Sequence, residues 1–319
     1  MELWDGTGKT RVRQHVNPLR RDFQTPPPPP DWTSVYSDPT LPLALDIGSG
    51  YGRFLLLLQR NNPERRVNYL GIEIRRAVRR PWWSQDVHYV FANATVSVAT
   101  LLAGYPGPLT DVFIQFPDPH FKRRHHKRRV VQPQLVAALR ALMPSGGRLL
   151  LQSDVEEVTV AMRNTFELYG GDAFELAPQH AEGPVFHSRP TAPAASACCG
   201  GGEAASSSGA FAASTGLGGG QGAGAGAAAG TQLHHLSDGG GWAADGAGAG
   251  SSTESDAGAD SEGDGESAND DEDGDIANMV SQWAAGGWLM NNPIGTPTER
   301  EHYVGQQGLP VYRVLLVRK

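Results

Sequence analysis

Residues 43–61, LALDIGSGYGRFLLLLQRN, constrain the fold more than any other stretch. A strand-length apolar run breaks on three alternate glycines, Gly48, Gly50 and Gly52, and a helix-length apolar segment follows at once. A strand that passes through a glycine turn into a helix is how an open α/β sheet begins. The glycines let backbone approach a ligand closely, and the helix N-terminus favours negative charge. The rest of the chain repeats this alternation. VNYLGIEI (67–74), VHYVFANA (87–94), DVFIQFPD (111–118), GGRLLLQSD (146–154) and VYRVLLVRK (311–319) read as strands. VVQPQLVAALRALM (130–143) reads as helical after Pro133, with Leu135, Leu139 and Leu142 on one face. Val155, Val158, Met162 and Phe166 mark a further helix, with Asp154 as its expected N-cap. Strands and helices at this spacing predict an α/β fold, a mainly parallel sheet covered on both faces.

Composition matters here because one segment hides the charge of the rest. The 319 residues carry a formal net charge of −7. Residues 190–277 hold no Lys or Arg, 22 of the 40 glycines and 14 of the 34 acidic residues. Outside that segment 27 basic residues face 20 acidic ones, a basic body suited to a polyanion. The segment has too few apolar residues to offset chain entropy, so it reads as a disordered insertion that splits one domain. The expected organisation is an N-terminal arm over 1–40 with its polyproline run at 26–30, the first part of the split domain over 41–189, the insertion over 190–277, and the closing part of that domain over 278–319. The two cysteines, Cys198 and Cys199, are adjacent and offer neither a disulfide framework nor metal-ligand spacing. No metal and a reducing compartment are therefore expected. No apolar stretch approaches the roughly 18 residues that span a bilayer. The opening residues MELWDGTGKTRVRQ show neither an apolar signal region nor a Ser/Arg-rich transit composition. Secretion and a membrane partner are not expected.

The glycine turn has the spacing G-x-G-x-G, and position 53 is Arg53 where a dinucleotide site would want glycine. That counts against a pyrophosphate ligand, and the turn alone is equally a plain tight turn. Glu73 ends the second strand roughly 20 residues later, where a carboxylate can accept from both hydroxyls of an adenosine ribose. Without a pyrophosphate signature, S-adenosylmethionine is the natural cofactor. Asn93 and Ala94, at the end of the third strand, can contact the adenine edge, although Asn93 reads equally as a turn residue.

The fourth strand ends in QFPDPHFKRRHHKRR (115–129). Prolines on both sides of Asp118 fix φ and remove two backbone donors, which stiffens the loop and aims the carboxylate. Six Lys/Arg and two His then follow within residues 122–129. Lys122, Arg123, Arg124, Lys127, Arg128 and Arg129 make a phosphate-binding surface. A charge run alone is often only a solvated face or a localisation signal. Beside a cofactor edge it points to a nucleic-acid substrate. The residues thus indicate an S-adenosylmethionine-dependent enzyme acting on RNA or DNA, and FPDPHF is not the [DN]-P-P-[YFW] loop of the amino-methyltransferases.

QFPDPHFKRRHHKRRVVQP, together with DIGSGYG, GIEIR, LQSDVE and TPTERE, resembles the tRNA (guanine-N7)-methyltransferase family over about residues 11–180 and 279–319. RVRQHVNPL, SDVEEVTVAMR and GLPVYR further resemble its cyanobacterial and plastid branch. The resemblance implies a Rossmann-like class I methyltransferase with a seven-stranded, mostly parallel sheet and helices on both faces. It implies methyl transfer to N7 of a variable-loop guanosine in tRNA, the position usually numbered 46. Carried over position by position, Gly48, Glu73, Ile74, Asn93, Ala94 and Gln115 match cofactor contacts, with Thr298, Glu299 and Arg300 from the late Thr/Glu motif. Asp118 matches the catalytic aspartate, and Lys122, Asp154 and Thr296 match substrate contacts. Gln115 departs from the Leu common in the nuclear branch. That branch works with a β-propeller partner, whereas bacterial-type relatives act alone, so no obligate protein partner is expected. The plastid-like motifs point to the chloroplast, with cytoplasm or nucleus as the other compartments. The alternatives left standing are methylation of another guanine-containing RNA and a catalytically inactive tRNA-binding protein.

Overall fold

The computed structural model describes residues 16–75, 86–188, 276 and 279–319. The 190–277 reading, apart from Ile276, and the first fifteen residues of the N-terminal arm lie outside the described residues. The described elements belong to one compact unit, drawn from residues 1–190 and 265–319.

Five parallel strands form in the places where the apolar runs predict them: β1 (Leu43–Ile47), β2 (Asn68–Glu73), β3 (Val87–Phe91), β4 (Leu109–Gln115) and β5 (Arg148–Ser153). Short strands follow at β6 (Phe174–Leu176), β7 (Val185–Phe186) and β8 (Trp288–Leu289), and the chain ends in β9 (Tyr312–Arg318). The seven-stranded sheet has the order β3-β2-β1-β4-β5-β9-β6, with β9 antiparallel to both its neighbours, and β7 pairs separately with β8. Because β9 lies between β5 and β6, the sheet is built from chain on both sides of residues 190–277.

Side-chain alternation divides the core. Leu45, Ile47, Val112, Ile114, Leu149, Leu151, Val314 and Leu316 pack on one face, while Ala44, Phe113, Leu150 and Leu315 pack on the other. Strands buried on both faces read as unbroken apolar runs rather than alternating ones, which is why LALDI and RLLLQ are legible. The helices are α1 (Trp32–Val35), α2 (Arg53–Asn61), α3 (Ala94–Leu102), α4 (Pro133–Leu142), α5 (Glu156–Gly170), α6 (Gln179–Glu182) and α7 (Glu299–Gln306). Leu55 and Leu58 of α2 join the Phe113 face; residues of α3, α4 and α5 cover the other.

Two sequence expectations change. The third strand stops at Phe91, and Asn93 caps α3 through a hydrogen bond from the Thr95 N–H to its Oδ1 at 3.2 Å. The N-cap of α5 is Val155, without a side-chain cap, and Asp154 turns instead to Arg300. Among the described residues, no helix is long and apolar enough to cross a membrane.

His180 ties this framework together. Its Nε2 accepts from the Leu315 N–H at 3.0 Å, so the proton sits on Nδ1, which donates to the Gly286 carbonyl at 3.2 Å. Burial pushes its pKa below the usual imidazole range, against smaller opposing contributions from the Gly286 and Gly287 carbonyls. The unfolded chain therefore binds the proton more readily than the folded one. The stabilisation is fully present above the unfolded value of about 6.5 and is lost as pH falls through the lower folded value. His88, also lowered by burial, acts in the same direction. Thermal melts from pH 7.5 down to pH 5 should show Tm falling with acidification, and His180→Gln should flatten that fall. An unchanged slope in the variant would remove His180 from this role.

Candidate active site

The strand order reverses between β1 and β4, the place where open α/β sheets bind ligands at the carboxyl ends of their strands. A cleft of about 380 Å³ opens there. Its lining combines the glycine turn, from Gly48 through Arg53, with Arg75, Gln115, Phe116, Thr298, Glu299, Arg300 and Tyr303. All three glycines of the turn have positive φ, a region that costs an L-residue heavily. At Gly52 a Cβ would also meet the Tyr89 ring at 2.6 Å.

The cleft gathers several of the expected cofactor residues. Gly48, Gln115, Thr298, Glu299 and Arg300 line it. Glu73 is buried behind it and holds the turn, accepting from the Gly50 N–H at 2.8 Å. Its other acceptor positions take the Arg75 N–H at 3.0 Å, Nε at 2.8 Å and NH2 at 3.1 Å. A carboxylate offers about four acceptor positions, so ribose hydroxyls reach Glu73 only by displacing the Arg75 guanidinium. Arg53 pairs with Glu299 across the cleft, joining the start of α2 to the start of α7, and Arg300 pairs with Asp154. Thr298 caps α7, its Oγ1 accepting from the Glu301 N–H at 3.1 Å.

Other expected contacts lie outside the cleft lining. Ile74 is half-buried beyond Glu73, and Asn93 and Ala94 are buried at the start of α3. Thr296 is buried beside α2, its hydroxyl 3.2 Å from Asn61 Nδ2. Sequence reasoning passed over Tyr51, Arg53, Arg75, Phe116 and Tyr303 as ligand-facing groups. Tyr51 and Tyr303 are exposed aromatics on the cleft, and their positions next to motif residues were the only available signal.

Asp118 sits on the exposed loop just past the end of β4, bordering a small hollow shared with His126 and Arg129. It contributes to the field that raises the Arg75 pKa, after the larger effect of Glu73. The loop carrying it is strained at both ends: Phe116 has φ 49° and His120 has φ 44°. Each such residue costs roughly 1–2 kcal/mol, so the surroundings must hold the loop. The Phe116 N–H donates to the Gln152 carbonyl at 2.8 Å, and Arg129 Nε donates to the Pro119 carbonyl at 3.0 Å. Arg129 also reaches Glu157 at 2.7 Å, with only 10 % of its side chain exposed. The expectation that Arg129 contacts RNA therefore meets a residue turned inward as a strut. Lys122, Arg123 and Arg124 are exposed, while Lys127 and Arg128 are half-buried on the 3₁₀ segment Arg123–Arg128.

A mostly parallel sheet with a glycine turn, an acidic strand end and a cofactor-sized cleft at its reversal point defines an S-adenosylmethionine-dependent methyltransferase of Rossmann-like class I form. A family model of methyltransferases matches residues 40–192. The chain is 50 % identical over 167 residues to a tRNA (guanine-N(7)-)-methyltransferase of Thermosynechococcus vestitus, covering 50 % of this chain and 76 % of that protein. It is 50 % identical over 171 residues to the enzyme of that name from Synechococcus sp. (strain JA-3-3Ab), covering 51 % and 70 %. To the Microcystis aeruginosa one it is 47 % identical over 169 residues, covering 50 % and 79 %. The chain belongs to the tRNA (guanine-N7)-methyltransferase family.

Proposed function

We propose that this protein transfers the methyl group of S-adenosylmethionine to N7 of a tRNA guanosine, the variable-loop position numbered 46. The observation that carries the reading is one sheet edge that joins a cofactor-sized cleft to a rigid Asp118 loop running directly into a cluster of cations. In this reading 41–189 and 278–319 form one catalytic domain, with 190–277 inserted into it.

Bound S-adenosylmethionine supplies an electrophilic methyl on a sulfonium. Guanine N7 already holds an in-plane lone pair, so no general base has to expose it. The protein's task is then positioning and exclusion of water. The purine gains positive charge as it is methylated, and a nearby carboxylate, Asp118 or Glu299, stabilises that charge electrostatically. Asp118 orients the base through its N1/N2 edge; Lys122 and Asp154 act on the substrate side, while Thr296, buried and bonded to Asn61, holds the closing segment against α2.

Incubation of the purified chain alone with S-adenosylmethionine and total tRNA, followed by borohydride–aniline cleavage, tests this reading. Scission in the variable loop is expected without any added protein. Modification only of ribosomal or capped messenger RNA would point to another guanine-containing substrate. Binding of tRNA without modification would mark an inactive binding protein, and activity only with a β-propeller subunit would overturn the single-chain reading. The proposed compartment is the chloroplast; a tagged full-length protein confined to the cytosol would refute it.

The cations separate by role. Lys122→Ala and Arg123→Ala should each weaken tRNA binding and reduce the magnitude of the slope of log K against log salt by roughly one. Arg129→Ala should leave that slope unchanged and lower kcat, because it releases the Pro119 carbonyl and Glu157. Filter binding at several salt concentrations decides it; a slope change for Arg129→Ala would restore it to the RNA surface.

A further inference from the structure

Beneath α7 lies a buried chain of polar groups that the chemistry above does not use. Gln115 of β4, Gln152 of β5, Glu301 of α7 and Arg313 of β9 are each more than nine-tenths buried. The direction of their hydrogen bonds is fixed from one end, because a guanidinium can only donate. Arg313 NH2 donates to Glu301 Oε1 at 2.8 Å, NH1 to the Met290 carbonyl at 2.9 Å, and Nε to Gln152 Oε1 at 3.1 Å. Gln152 must therefore turn its carbonyl to Arg313 and its amide nitrogen the other way. That nitrogen donates to Glu301 Oε2 at 3.1 Å and to Gln115 Oε1 at 2.8 Å. With its carbonyl engaged, Gln115 has only Nε2 left, and this buried donor has no hydrogen-bond partner among the described residues. Such donors are rare in native proteins and call for an explanation. Gln115 lines the cleft at the carboxyl end of β4, which supplies one.

We infer that Arg313 and Gln152 are positioning residues that lock Gln115 as a hydrogen-bond donor toward the bound reactants, so that the reactant atom nearest the end of β4 is an acceptor oxygen. This rests on the methyltransferase reading. The oxygen is either a carboxylate oxygen of the cofactor's amino-acid end or the guanine O6 beside the methylated N7. In the second case the lock discriminates guanine from adenine, whose amino group at the same place would meet a donor with a donor. Asn292 ties the device to the closing segment. Its Nδ2 donates to Glu301 Oε2 at 2.8 Å and to the Thr296 carbonyl at 3.1 Å, just ahead of Thr298 and Glu299.

Gln115→Glu keeps the shape and replaces the free donor with an acceptor. Gln152→Leu removes the relay and leaves the Glu301–Arg313 pair in place. Titration with S-adenosylhomocysteine reads the cofactor arm, and the KM for tRNA at saturating S-adenosylmethionine reads the guanine arm. Gln115→Glu should raise one of the two constants about tenfold, and Gln152→Leu should raise the same constant by a smaller factor. In a Gln115→Leu background, Gln152→Leu should have no further effect on that constant, since it acts only through Gln115. Two results overturn the proposal: both constants staying within about twofold for Gln152→Leu, or independent multiplication of the two effects. A wild-type protein that binds S-adenosylhomocysteine but never methylates tRNA would sink the proposed function, and the titration arm would still decide the relay.

Discussion

Asp118→Ala is expected to lower kcat for tRNA methylation by roughly 10²–10³-fold, the scale found when one preorganised electrostatic group is removed from an active site. Dissociation constants for S-adenosylhomocysteine and tRNA should stay within about threefold, since Asp118 lies outside the cleft lining and the exposed cations Lys122 and Arg123 are untouched. The physical basis is the rigidity of the loop. Phe116 and His120 hold positive φ on either side of Pro117-Asp118-Pro119, and Arg129 grips the Pro119 carbonyl. A carboxylate fixed this way costs no reorganisation when the purine becomes cationic. Asp118→Asn separates its two proposed contributions. The amide oxygen can still accept from the N1/N2 edge of guanine but carries no charge, so an intermediate loss is expected if both contributions matter. Near-normal single-turnover rates in Asp118→Ala, with tRNA binding intact, would show that this side chain is not catalytic.

What the sequence made legible follows from range. Leu43–Ile47, Arg53–Asn61 and Arg148–Ser153 are local signals: strands buried on both faces and a helix opened by a glycine turn. Helix α3 was not legible, because ATVSVATLL is rich in β-branched residues and directly follows a strand. Only the Asn93 cap announces it, and in the sequence Asn93 reads equally as an adenine contact and as a turn residue. Strands β7 and β8 have two residues each and exist only because chain segments about a hundred residues apart pair with each other. The site divides in the same way. The glycine turn, Glu73 and the Asp118 loop stand out as motifs. Roles set by partners distant in sequence do not: Asp154 faces Arg300, Arg129 faces Glu157, and Asp111, in the same strand as Gln115, is held by Arg65 and Arg148 at the far end of the sheet. A sequence shows that these residues carry charge. Only the fold shows which charges face the reactants and which hold the framework.

The Glu301–Arg313 pair gives the largest expected effect on stability. Both side chains are 9 % exposed, and each also holds neutral partners: Gln152 and Asn292 on the glutamate, backbone carbonyls on the arginine. Removing either partner strands a buried charge, which costs about 3–5 kcal/mol. For a folded unit of this size that corresponds to a Tm lower by on the order of 10 °C. Glu301→Leu and Arg313→Met should each show this loss in denaturant and thermal unfolding. The double variant should be more stable than either single one, because two apolar side chains of similar volume leave no isolated charge. Reactant binding should behave differently. The tie from Asn292 through Glu301 to the closing segment, and the Arg313 end of the glutamine relay, are both absent from the double variant. Its stability should therefore recover without recovery of the constant that Gln115→Glu raises, whether S-adenosylhomocysteine affinity or the KM for tRNA. Single variants within about 1 kcal/mol of wild type would place the pair among surface-like ion pairs. A double variant that regained affinity along with stability would mean that the pair holds the fold and has no separate part in holding the reactants.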